Sequence, residues 1–530
     1  MLFRKLRDVG HRWGGEVLVT LAVAFVLAFA WMPAAGVSLP NERTRIYLAV
    51  AMVDHQTLSI DEPVRRWGRP YDIARFEGRY YTDKAPGTSF LAAAVYGAAR
   101  LFAPSDAFTI ESLIVLMRRA ISLPLGVLGF CFFRSLGRRL SMPAWAVDWS
   151  SVAWILGSAA AHASGAFFGH QMVSTALVAS LWLYGNVEDR VLAERPRSWP
   201  YALGLGLTAG FALLTEYQSA IPFALLALYI LSGPLIRHPR TVAWMVLGAV
   251  PGVAGLLIYN RLAFGGYFEL SYHHLLAPSL QALHGTGIGG VHMPKTAYAE
   301  GALLSWHRGL LKTSPYFVLL IPGVVVLWKR GKVRLGVLLA LVFSYYVLFV
   351  CSTQIWFAGW GFGPRLMVPM MGLSCLAVTA GLATLSSPLL RGLGIGLCLW
   401  AIVYTQLVNV VFAELPERFE NPLYDVVVPA FRQAVFAPNL AMELAGTSGY
   451  RSLVPWAVVL GVLVVWLLVR RSAAGWKRQC VQGVLALAVV AGMAAYAKHA
   501  PTVAETETEA FLHWMEKLQQ QQRELWDRAR

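Results

Sequence analysis

A polar segment near the N-terminus, residues 39–90, holds the residue types from which an active site could be built. A carboxylate can take a proton from an attacking hydroxyl, and a lysine or arginine can hold an oxyanion as it forms. The segment carries Lys84, several arginines and seven acidic side chains. These are Glu42, Asp54, Asp61, Glu62, Asp72, Glu77 and Asp83. A short turn would connect two apolar runs, so a charged loop of this length favours a role in catalysis or binding.

The composition indicates an integral membrane protein. Of the 530 residues, 57% are hydrophobic and only 14% are charged, with a mean hydropathy of +0.54, whereas a soluble domain carries about 25% charged residues. The formal net charge of +16 lies mainly in short basic clusters between apolar runs. Such clusters mark cytoplasmic loops and argue against a nucleic-acid partner. The five cysteines have no CxxC spacing, which predicts neither a disulfide framework nor a zinc site.

Thirteen apolar runs are long enough, at about 17–23 residues, to cross ~30 Å of hydrocarbon. They lie near residues 16–33, 112–133, 145–163, 168–187, 200–217, 219–236, 241–261, 311–328, 335–351, 365–385, 392–411, 453–469 and 479–497. The first run is longer than the core of a usual signal peptide, which favours a retained span. A further run at 85–103 is predicted to lie along the outer surface, because a span there would put every later basic cluster outside.

This topology places the N-terminus in the cytoplasm and the long loops on the opposite side of the membrane. The outer loops are residues 34–111, 262–310, 352–364 and 412–452, followed by a tail from about 498. We therefore predict a catalytic transmembrane module at 1–411, an outer loop with two further spans at 412–497, and a polar helical tail at 498–530. One side of the tail helix is apolar, which predicts packing on the outer surface or on a partner. That side carries Phe511, Met515, Leu518 and Leu525.

Four motifs follow one another on the predicted outer side. They are Pro-Asn-Glu at 40–42, YYTDKAPG at 80–87, YNRLAFGGYFELSYHH at 259–274 and WGFGPRLMVP at 360–369. As an ordered set they resemble the GT-C superfamily of polyprenyl-phosphate-sugar-dependent glycosyltransferases, especially the glycosyltransferase-39-like relatives of protein O-mannosyltransferases and the lipid A aminoarabinose transferase. The resemblance covers roughly residues 15–410. It implies an all-α GT-C-type bundle of about 13 transmembrane helices, with interfacial helices in a large first periplasmic loop.

The resemblance also implies a function. The protein would be a multi-pass enzyme of the bacterial inner membrane that transfers a sugar, with inversion, from a polyprenyl-phosphate donor to a lipid, glycan or protein acceptor on the periplasmic face. Two alternatives stay open. A transporter or flippase for a lipid-linked sugar would need matched halves and charges deep within many spans. An O-antigen-type ligase or polymerase would use a late outer loop, here 412–452.

Three carboxylates are candidates for the general base. Where the relatives carry an Asp-Glu pair, this chain has Asn41 followed by Glu42, and an amide cannot take a proton at neutral pH. We therefore expect Glu42 to be the base, unless it only caps a helix or pairs with a neighbouring arginine. Asp83 and Asp54 are the alternatives, and a loop that binds sugar without catalysing transfer is a further one.

Four cations are predicted to bind the donor phosphate. Lys84 lies in the DKAPG turn just before the surface helix, at the level of lipid headgroups, and Arg365 ends a glycine-rich outer turn. Both fit a phosphate, although each could instead be an anchor at the interface. Arg118 and Arg119 begin the second span from the outside, where arginine is unusual, and could pair with lipid phosphate or with first-loop carboxylates.

Further polar side chains are predicted to line the substrate pocket. They are Asn41, Tyr81, His170, Glu216, Tyr272, His273, His274 and Trp360. The adjacent histidines, with His284 and His292 beyond them, could suggest a metal. Neighbouring histidines rarely share one ion, and no carboxylate follows either of them at i+3 or i+4. We therefore predict no metal or other cofactor, with a divalent cation as the alternative.

Overall fold

The computed structural model describes residues 2–30, 39–284, 286–287, 290–469 and 476–529, with side chains from residue 14 to residue 526 within those ranges. In these ranges the chain forms 24 α-helices, several short 3₁₀ and π turns, and one two-stranded β-sheet. The prediction of a mostly helical protein is therefore confirmed. The predicted start of the first outer loop, at residue 34, lies outside the described residues.

The N-terminal half contains the hairpin and the helices around it. Its helices are α1 (Leu2–Phe29), α2 (Pro40–His55), α3 (Asp61–Trp67), α4 (Gly87–Arg100), α5 (Ile110–Met117), α6 (Leu123–Arg139), α7 (Ala144–Leu156), α8 (Ala159–Gly165), α9 (Gly169–Leu192), α10 (Trp199–Thr215), α11 (Ala220–Leu231) and α12 (Pro239–Phe264). Strands β1 (Ile73–Phe76) and β2 (Arg79–Thr82) lie between α3 and α4. A π turn at Arg118–Ser122 joins α5 to α6.

The C-terminal half forms no further strand among the residues that the structure describes. Its helices are α13 (Pro278–His284), α14 (Thr296–Leu304), α15 (Leu310–Thr313), α16 (Leu320–Lys329), α17 (Val333–Cys351), α18 (Val368–Leu382), α19 (Pro388–Phe412), α20 (Val428–Gln433), α21 (Leu440–Ala445), α22 (Gly449–Val469), α23 (Trp476–Ala497) and α24 (Glu505–Ala529). Helices α18 and α19 are almost entirely buried and form the centre of the bundle.

Seven helices in the described ranges are long and apolar enough to cross a membrane, or eight if the bent pair α8–α9 counts as one span. The seven are Ile110–Arg139, α12, α17, Arg365–Leu382, α19, α22 and α23. Four shorter apolar helices coincide with other predicted runs: Gly14–Phe29, Trp199–Thr215, Tyr217–Leu231 and Pro315–Lys329. The protein is therefore a multi-pass membrane protein. The count of thirteen spans and the division into a 1–411 module, a 412–497 unit and a tail stay predictions.

The run predicted as one span at 145–163 is interrupted. Helix α7 ends at Gly157, and α8 begins after Ser158, whose Oγ accepts a hydrogen bond from the Ala160 amide at 3.1 Å. A Cβ at Gly157 would lie 2.8 Å from the backbone nitrogen of Ile402, so the chain passes close to α19 at this point. Helix α8 then meets α9 at an angle of 110°. The break brings the start of α9 to the candidate site.

The β-hairpin in the first loop was not predicted, and it corrects the all-α expectation. Strand β1 pairs antiparallel with β2, with Ile73 opposite Thr82. Glu77 and Gly78 at the turn have φ of 48° and 83°, as a type I′ turn requires at both central positions. Four-residue strands give too short an alternation to be seen against helical runs. The exit of β2 leads directly to the Asp-Lys pair of the second motif.

Helix α4 coincides with the run predicted to lie on the membrane surface. Its 14 residues extend for about 21 Å at 1.5 Å per residue, which is too short to cross ~30 Å of hydrocarbon. This length agrees with the prediction that the run does not cross the membrane. The location of α4 at a membrane surface stays a prediction. Gly87 begins the helix where a Cβ would lie 2.8 Å from the backbone of Leu214, so α4 lies directly against the end of α10.

Helices α10 and α12 cross in backbone contact through glycines spaced four residues apart. A Cβ built on Gly206 would lie 1.9 Å from the carbonyl oxygen of Met245, and one on Gly252 would lie 2.2 Å from the backbone of Gly210. Small residues at this spacing let transmembrane helices approach closely. The pair fixes where α10 ends and therefore where Glu216 stands.

The tail helix α24 packs on the protein, as its apolar pattern predicts. Phe511, Met515 and Leu518 are buried, and Phe511 contacts Phe412 and Phe419 with ring centroids 5.5 and 4.8 Å apart. The prediction was wrong for Leu525, which is 40% exposed. Leu512 is buried instead, so the buried side of the helix does not coincide fully with the predicted apolar side.

Candidate active site

Glu42 and Arg118 form a buried bidentate ion pair. Arg118 donates from Nε to Oε1 at 2.8 Å and from Nη2 to Oε2 at 2.6 Å, and the Phe167 amide donates to Oε1 at 2.6 Å. Both side chains are at most 1% exposed. Charge-assisted hydrogen bonds to both oxygens hold the Glu42 carboxylate in one position. Arg118 was predicted to pair either with lipid phosphate or with a first-loop carboxylate, and the structure shows the pair with a first-loop carboxylate.

Arg45, one turn further along α2, joins four separate segments. Its Nε donates to Asn41 Oδ1 at 2.9 Å, its Nη1 contacts Thr88 Oγ1 of α4, and its Nη2 donates to Glu216 Oε1 at 3.0 Å. The same Glu216 oxygen lies 3.7 Å from Nδ1 of His170, at the start of α9. Arg45 and Glu216 are 1% and 8% exposed. The pair therefore ties α2 to the ends of α4, α9 and α10.

The hairpin delivers Asp83 and Lys84 to the same region. The Lys84 Nζ lies 2.6 Å from Asp83 Oδ2 and 3.2 Å from Asp72 Oδ2. Asp83 is 1% exposed, and its Oδ1 has no hydrogen-bond partner among the described residues. Burial raises the pKa of Asp83, although the charge of Lys84 opposes this. Burial also disfavours the charged form of Lys84, but Asp72 and Asp83 outweigh it and raise the pKa of that ammonium.

Arg365 lies against the ring of Phe168. Its guanidinium carbon is 4.8 Å from the ring centroid, Nη1 donates to the Trp360 carbonyl at 3.1 Å, and Nη2 donates to the Ala358 carbonyl. Its Nε is buried with no hydrogen-bond partner in the described part of the chain. The guanidinium is thus fixed by backbone carbonyls and keeps a donor for a ligand.

These groups form one cluster. The charges of Glu216, Arg365, Arg45 and Lys84 all act on the His170 ring, and those of Lys84, Glu216 and Asp83 act on the Tyr272 hydroxyl. We call the set the central cluster; it consists of Arg45, Asp72, Asp83, Lys84, His170, Glu216, Tyr272 and Arg365. The structure thus brings the predicted Lys84, Asp83, His170, Glu216, Tyr272 and Arg365 together, whereas the sequence did not single out Arg45 and Asp72.

Two residues predicted for catalysis or phosphate binding lie elsewhere. Asp54 is 12 residues beyond Glu42 on α2, about 18 Å along the helix. It accepts hydrogen bonds from Tyr96 Oη at 2.6 Å and Arg100 Nε at 2.8 Å. Arg119 pairs with Glu443. The structure therefore gives each of these two residues a partner outside the central cluster.

The predicted pocket residues around the third motif contact Glu269 and Phe264. Nδ1 of His273 and Nε2 of His274 both lie 3.0 Å from Glu269 Oε1, a carboxylate that precedes the histidines and was missed because only later positions were considered. His274 and Tyr81 each pack on Phe264, with ring centroids 5.4 Å apart. Within the described ranges no three His, Cys, Asp or Glu side chains are placed to hold a metal ion. That the protein uses no metal or other cofactor stays a prediction.

Trp360 stands at the edge of the site. It is 42% exposed and meets the tail residue Trp514 edge to face, with ring centroids 6.2 Å apart. Three further buried groups near Arg365 were not predicted: His162, Arg308 and Glu414. His162 lies in α8, Arg308 between α14 and α15, and Glu414 just after α19.

The structure resembles solved membrane glycosyltransferases. ArnT from Cupriavidus metallidurans, bound to undecaprenyl phosphate, superposes with a TM-score of 0.50 at 15% identity, over 91% of this chain and 76% of that one. This chain has the GT-C fold.

Two further matches are weaker. The Archaeoglobus fulgidus oligosaccharyltransferase, in complex with Zn and sulfate, gives a TM-score of 0.45 at 13% identity, over 83% of this chain and 56% of that one. Arabinosyltransferase EmbB from Mycobacterium smegmatis gives 0.39 at 14% identity, over 93% and 42%. No protein-family model and no curated protein matches the sequence.

Proposed function

We propose that this protein is a membrane glycosyltransferase that moves a sugar from a polyprenyl-phosphate donor to a lipid, glycan or protein acceptor. The observation that carries the proposal is the central cluster, where Lys84 pairs with the buried carboxylate of Asp83 and Arg365 lies in the same cluster, within a GT-C fold. The ArnT structure of the same fold holds undecaprenyl phosphate, which supports a donor of that class.

Lys84 and Arg365 stabilise the leaving phosphate. When the bond from the anomeric carbon to the phosphate oxygen breaks, negative charge develops on that oxygen. Lys84 is kept charged by Asp72 and Asp83, and Arg365 is held by backbone carbonyls with its Nε available. Fixed cations of this kind stabilise a developing oxyanion without reorganising.

Asp83 is the general base in this mechanism. Its Oδ1 is buried without a partner among the residues that the structure describes, and burial raises the pKa of Asp83. The raised pKa is closer to the range in which a carboxylate is an efficient base. Asp83 takes the proton of the acceptor hydroxyl while the oxygen attacks the anomeric carbon and the polyprenyl phosphate leaves from the opposite face. One displacement of this kind inverts the configuration. Glu42, with three hydrogen bonds to its oxygens, is the alternative base.

The site is proposed to face the periplasm of a bacterial inner membrane, with the N-terminus in the cytoplasm. The support comes from the basic clusters, which fall in the short connections on the opposite side from the charged loops. A donor carried on a polyprenyl chain would then reach the cluster from the membrane, at the level where α4 meets α10.

The proposal is tested by mass spectrometry of cell-envelope lipids and glycans from a deletion strain. We expect a sugar modification to disappear on deletion and to return with the wild-type gene. Asp83→Asn and Lys84→Gln should not restore it. Glu62→Gln should, because Glu62 is an exposed carboxylate of the same loop that pairs only with Arg65 among the described residues.

Restoration by both Asp83→Asn and Lys84→Gln, at equal protein levels, would contradict the proposed chemistry. Failure of Glu42→Gln alone to restore the product, with the variant present at the wild-type level, would indicate Glu42 as the base. A lipid-linked sugar that changes sides of the membrane without any change in covalent structure would indicate the transporter alternative instead.

A further inference from the structure

A second buried polar cluster adjoins the central cluster. It consists of His162 at α8, Arg308 between α14 and α15, and Glu414 just after α19; we call it the Arg308 cluster. The three residues are at most 4% exposed. The ring of Phe168 links the two clusters, since its centroid is 5.8 Å from that of His162 and 6.3 Å from that of His170.

The three side chains face one small space above a glycine. His162 Nε2 lies 2.8 Å from Glu414 Oε1. A Cβ built on Gly361 would lie 3.8 Å from Arg308 Nη1, 3.8 Å from His162 Nε2 and 3.9 Å from Glu414 Oε2. Gly361 has a φ of 141°, a conformation that favours glycine. The chain therefore leaves a cradle bounded by three polar groups where most residues would place a side chain.

Arg308 brings donors without acceptors to this cradle. Both of its Nη atoms are buried without a hydrogen-bond partner among the described residues. The charges of Glu417, which is exposed, and of Glu414, at the cradle itself, act on Arg308 without making such a bond. An unpaired buried charge is costly, and burial together with Arg365 lowers the pKa of Arg308 to about 9. An anion in the cradle would satisfy these donors.

A small cavity of about 20 Å³, enough for one water molecule, borders the cluster at His162. Its walls include Val26 of α1, His162 and Gly165 of α8, and Gln406 and Asn409 of α19. The Asn409 Oδ1 in this wall is buried and has no partner within the described ranges. The wall of this cavity beside His162 is therefore partly polar.

We propose that the Arg308 cluster is a second oxyanion site, distinct from the donor-phosphate site at Lys84, and that it holds a phosphate group of the acceptor. A guanidinium offers two parallel donors that match a phosphate. Arg308 supplies such a fork, and neither of its Nη atoms has a hydrogen-bond partner among the described residues. Assignment of the phosphate to the acceptor rests on the proposed function, whereas binding of the anion does not.

The experiment measures phosphate binding to the purified full-length protein in detergent, as a saturable rise in thermal unfolding temperature at constant ionic strength. The probes are inorganic phosphate and dihexanoyl phosphatidic acid. In a Lys84→Gln background, which removes the donor-site cation, we expect the rise to persist. Adding Arg308→Gln should raise the dissociation constant at least tenfold, whereas adding Arg418→Gln, at an exposed arginine, should leave it unchanged.

The probes distinguish the source of the phosphate. Binding of both shows that the phosphate group suffices, and binding of phosphatidic acid alone assigns the site to a lipid headgroup; either result supports the proposal. Equal binding with and without Arg308→Gln would overturn it. If Arg308→Gln does not fold, Arg308→Lys keeps the charge without the fork and is expected to weaken binding about tenfold. Since sugar transfer is not the readout, failure here and failure of the proposed transferase activity remain distinguishable.

Discussion

Two first-loop carboxylates that look alike in the sequence differ in what they contact. Glu42 accepts three hydrogen bonds, two of them from Arg118, and has no exposed surface. Asp83 is equally buried, but one of its oxygens has no partner in the described part of the chain. Glu42 is therefore suited to hold the α2–α6 region together, and Asp83 to exchange a proton.

Removal of the Glu42 carboxylate should mainly cost stability. Glu42→Gln leaves Arg118 charged and buried without its counter-ion, and losing one partner of such a pair typically costs about 3–5 kcal/mol. The double variant Glu42→Gln/Arg118→Met should recover most of that loss, because no unpaired charge remains. Thermal unfolding of the purified variants in detergent measures both. A Glu42→Gln protein as stable as wild type would contradict the structural role.

Asp83 should determine the acid side of the pH dependence. Its ordinary pKa is 3.8, and burial raises the pKa in the folded state. The folded protein therefore holds the proton more tightly than the unfolded chain, so the contribution of Asp83 to stability is full below 3.8 and is lost as pH rises through the raised pKa. The enzymatic activity should instead increase as pH rises through this pKa, because a general base must be deprotonated to act.

We therefore expect kcat/KM for sugar transfer to rise with pH through a pKa above 3.8, and this limb to disappear in Asp83→Asn. A pH titration of the purified enzyme against a fixed donor measures it. The residual rate of Asp83→Asn should be lower by about 10²–10⁴-fold, the usual contribution of a general base. A limb at or below 3.8 in the wild type would assign the proton to another group.

At the level of elements, the site depends on where helices end. Glu216 follows the last residue of α10, Lys84 follows β2, and His170 stands in the first turn of α9. At the end of α10, close packing adds to the ion pair of Glu216 with Arg45. This packing includes the glycine contact of α10 with α12.

Gly252→Ala should therefore lower the free energy of unfolding by more than the addition of one methyl group suggests. The added Cβ would lie 2.2 Å from the backbone of Gly210, so the helices must separate, at a cost of about 1–3 kcal/mol. Gly255→Ala, on the same helix, meets nothing closer than 3.7 Å. It should be neutral or stabilise by up to ~1 kcal/mol through helix propensity. Thermal unfolding compares the two, and equal behaviour would exclude the crossing as the cause.

On the scale of the whole molecule, the two polar clusters draw side chains from residues 45 to 414. The tail helix closes this side of the protein through Trp514 against Trp360 and through Phe511 against Phe412. The loops that carry the clusters and the tail therefore belong to the same side of the bundle, which the predicted topology assigns to the periplasm.

A fusion at the C-terminus tests that assignment. With the tail in the periplasm, a C-terminal alkaline phosphatase should be active in cells and a C-terminal green fluorescent protein dark, because each folds to its active form on only one side of the membrane. Fusions after Lys329, at the end of a predicted cytoplasmic connection, should give the reverse. The same signal from both fusion sites would place them on one side and refute the predicted topology.

Some features follow from local sequence alone. Apolar runs of membrane length identified the helical bundle, because the hydrocarbon thickness fixes the length of a span. Lys84, Asp83 and Arg365 could be selected as site candidates because a charged residue beside an apolar run costs free energy and often has a function. The tail helix was predicted correctly up to Leu518, since its apolar side repeats at the helical period.

Only the tertiary structure determined which charged side chains pair with each other. Arg118 lies 76 residues from Glu42, and Glu216 lies 171 residues from Arg45, so neither pairing leaves a local trace. Asp54 and Asp83 are equivalent by residue type, yet both oxygens of Asp54 accept hydrogen bonds, whereas Asp83 pairs with Lys84 and its Oδ1 has no partner in the described part of the chain. The sequence determined where polar groups can lie along the membrane, because hydrophobicity is a property of each segment. Their partners were decided by folding, because Coulomb interactions depend on distance in space rather than on separation along the chain.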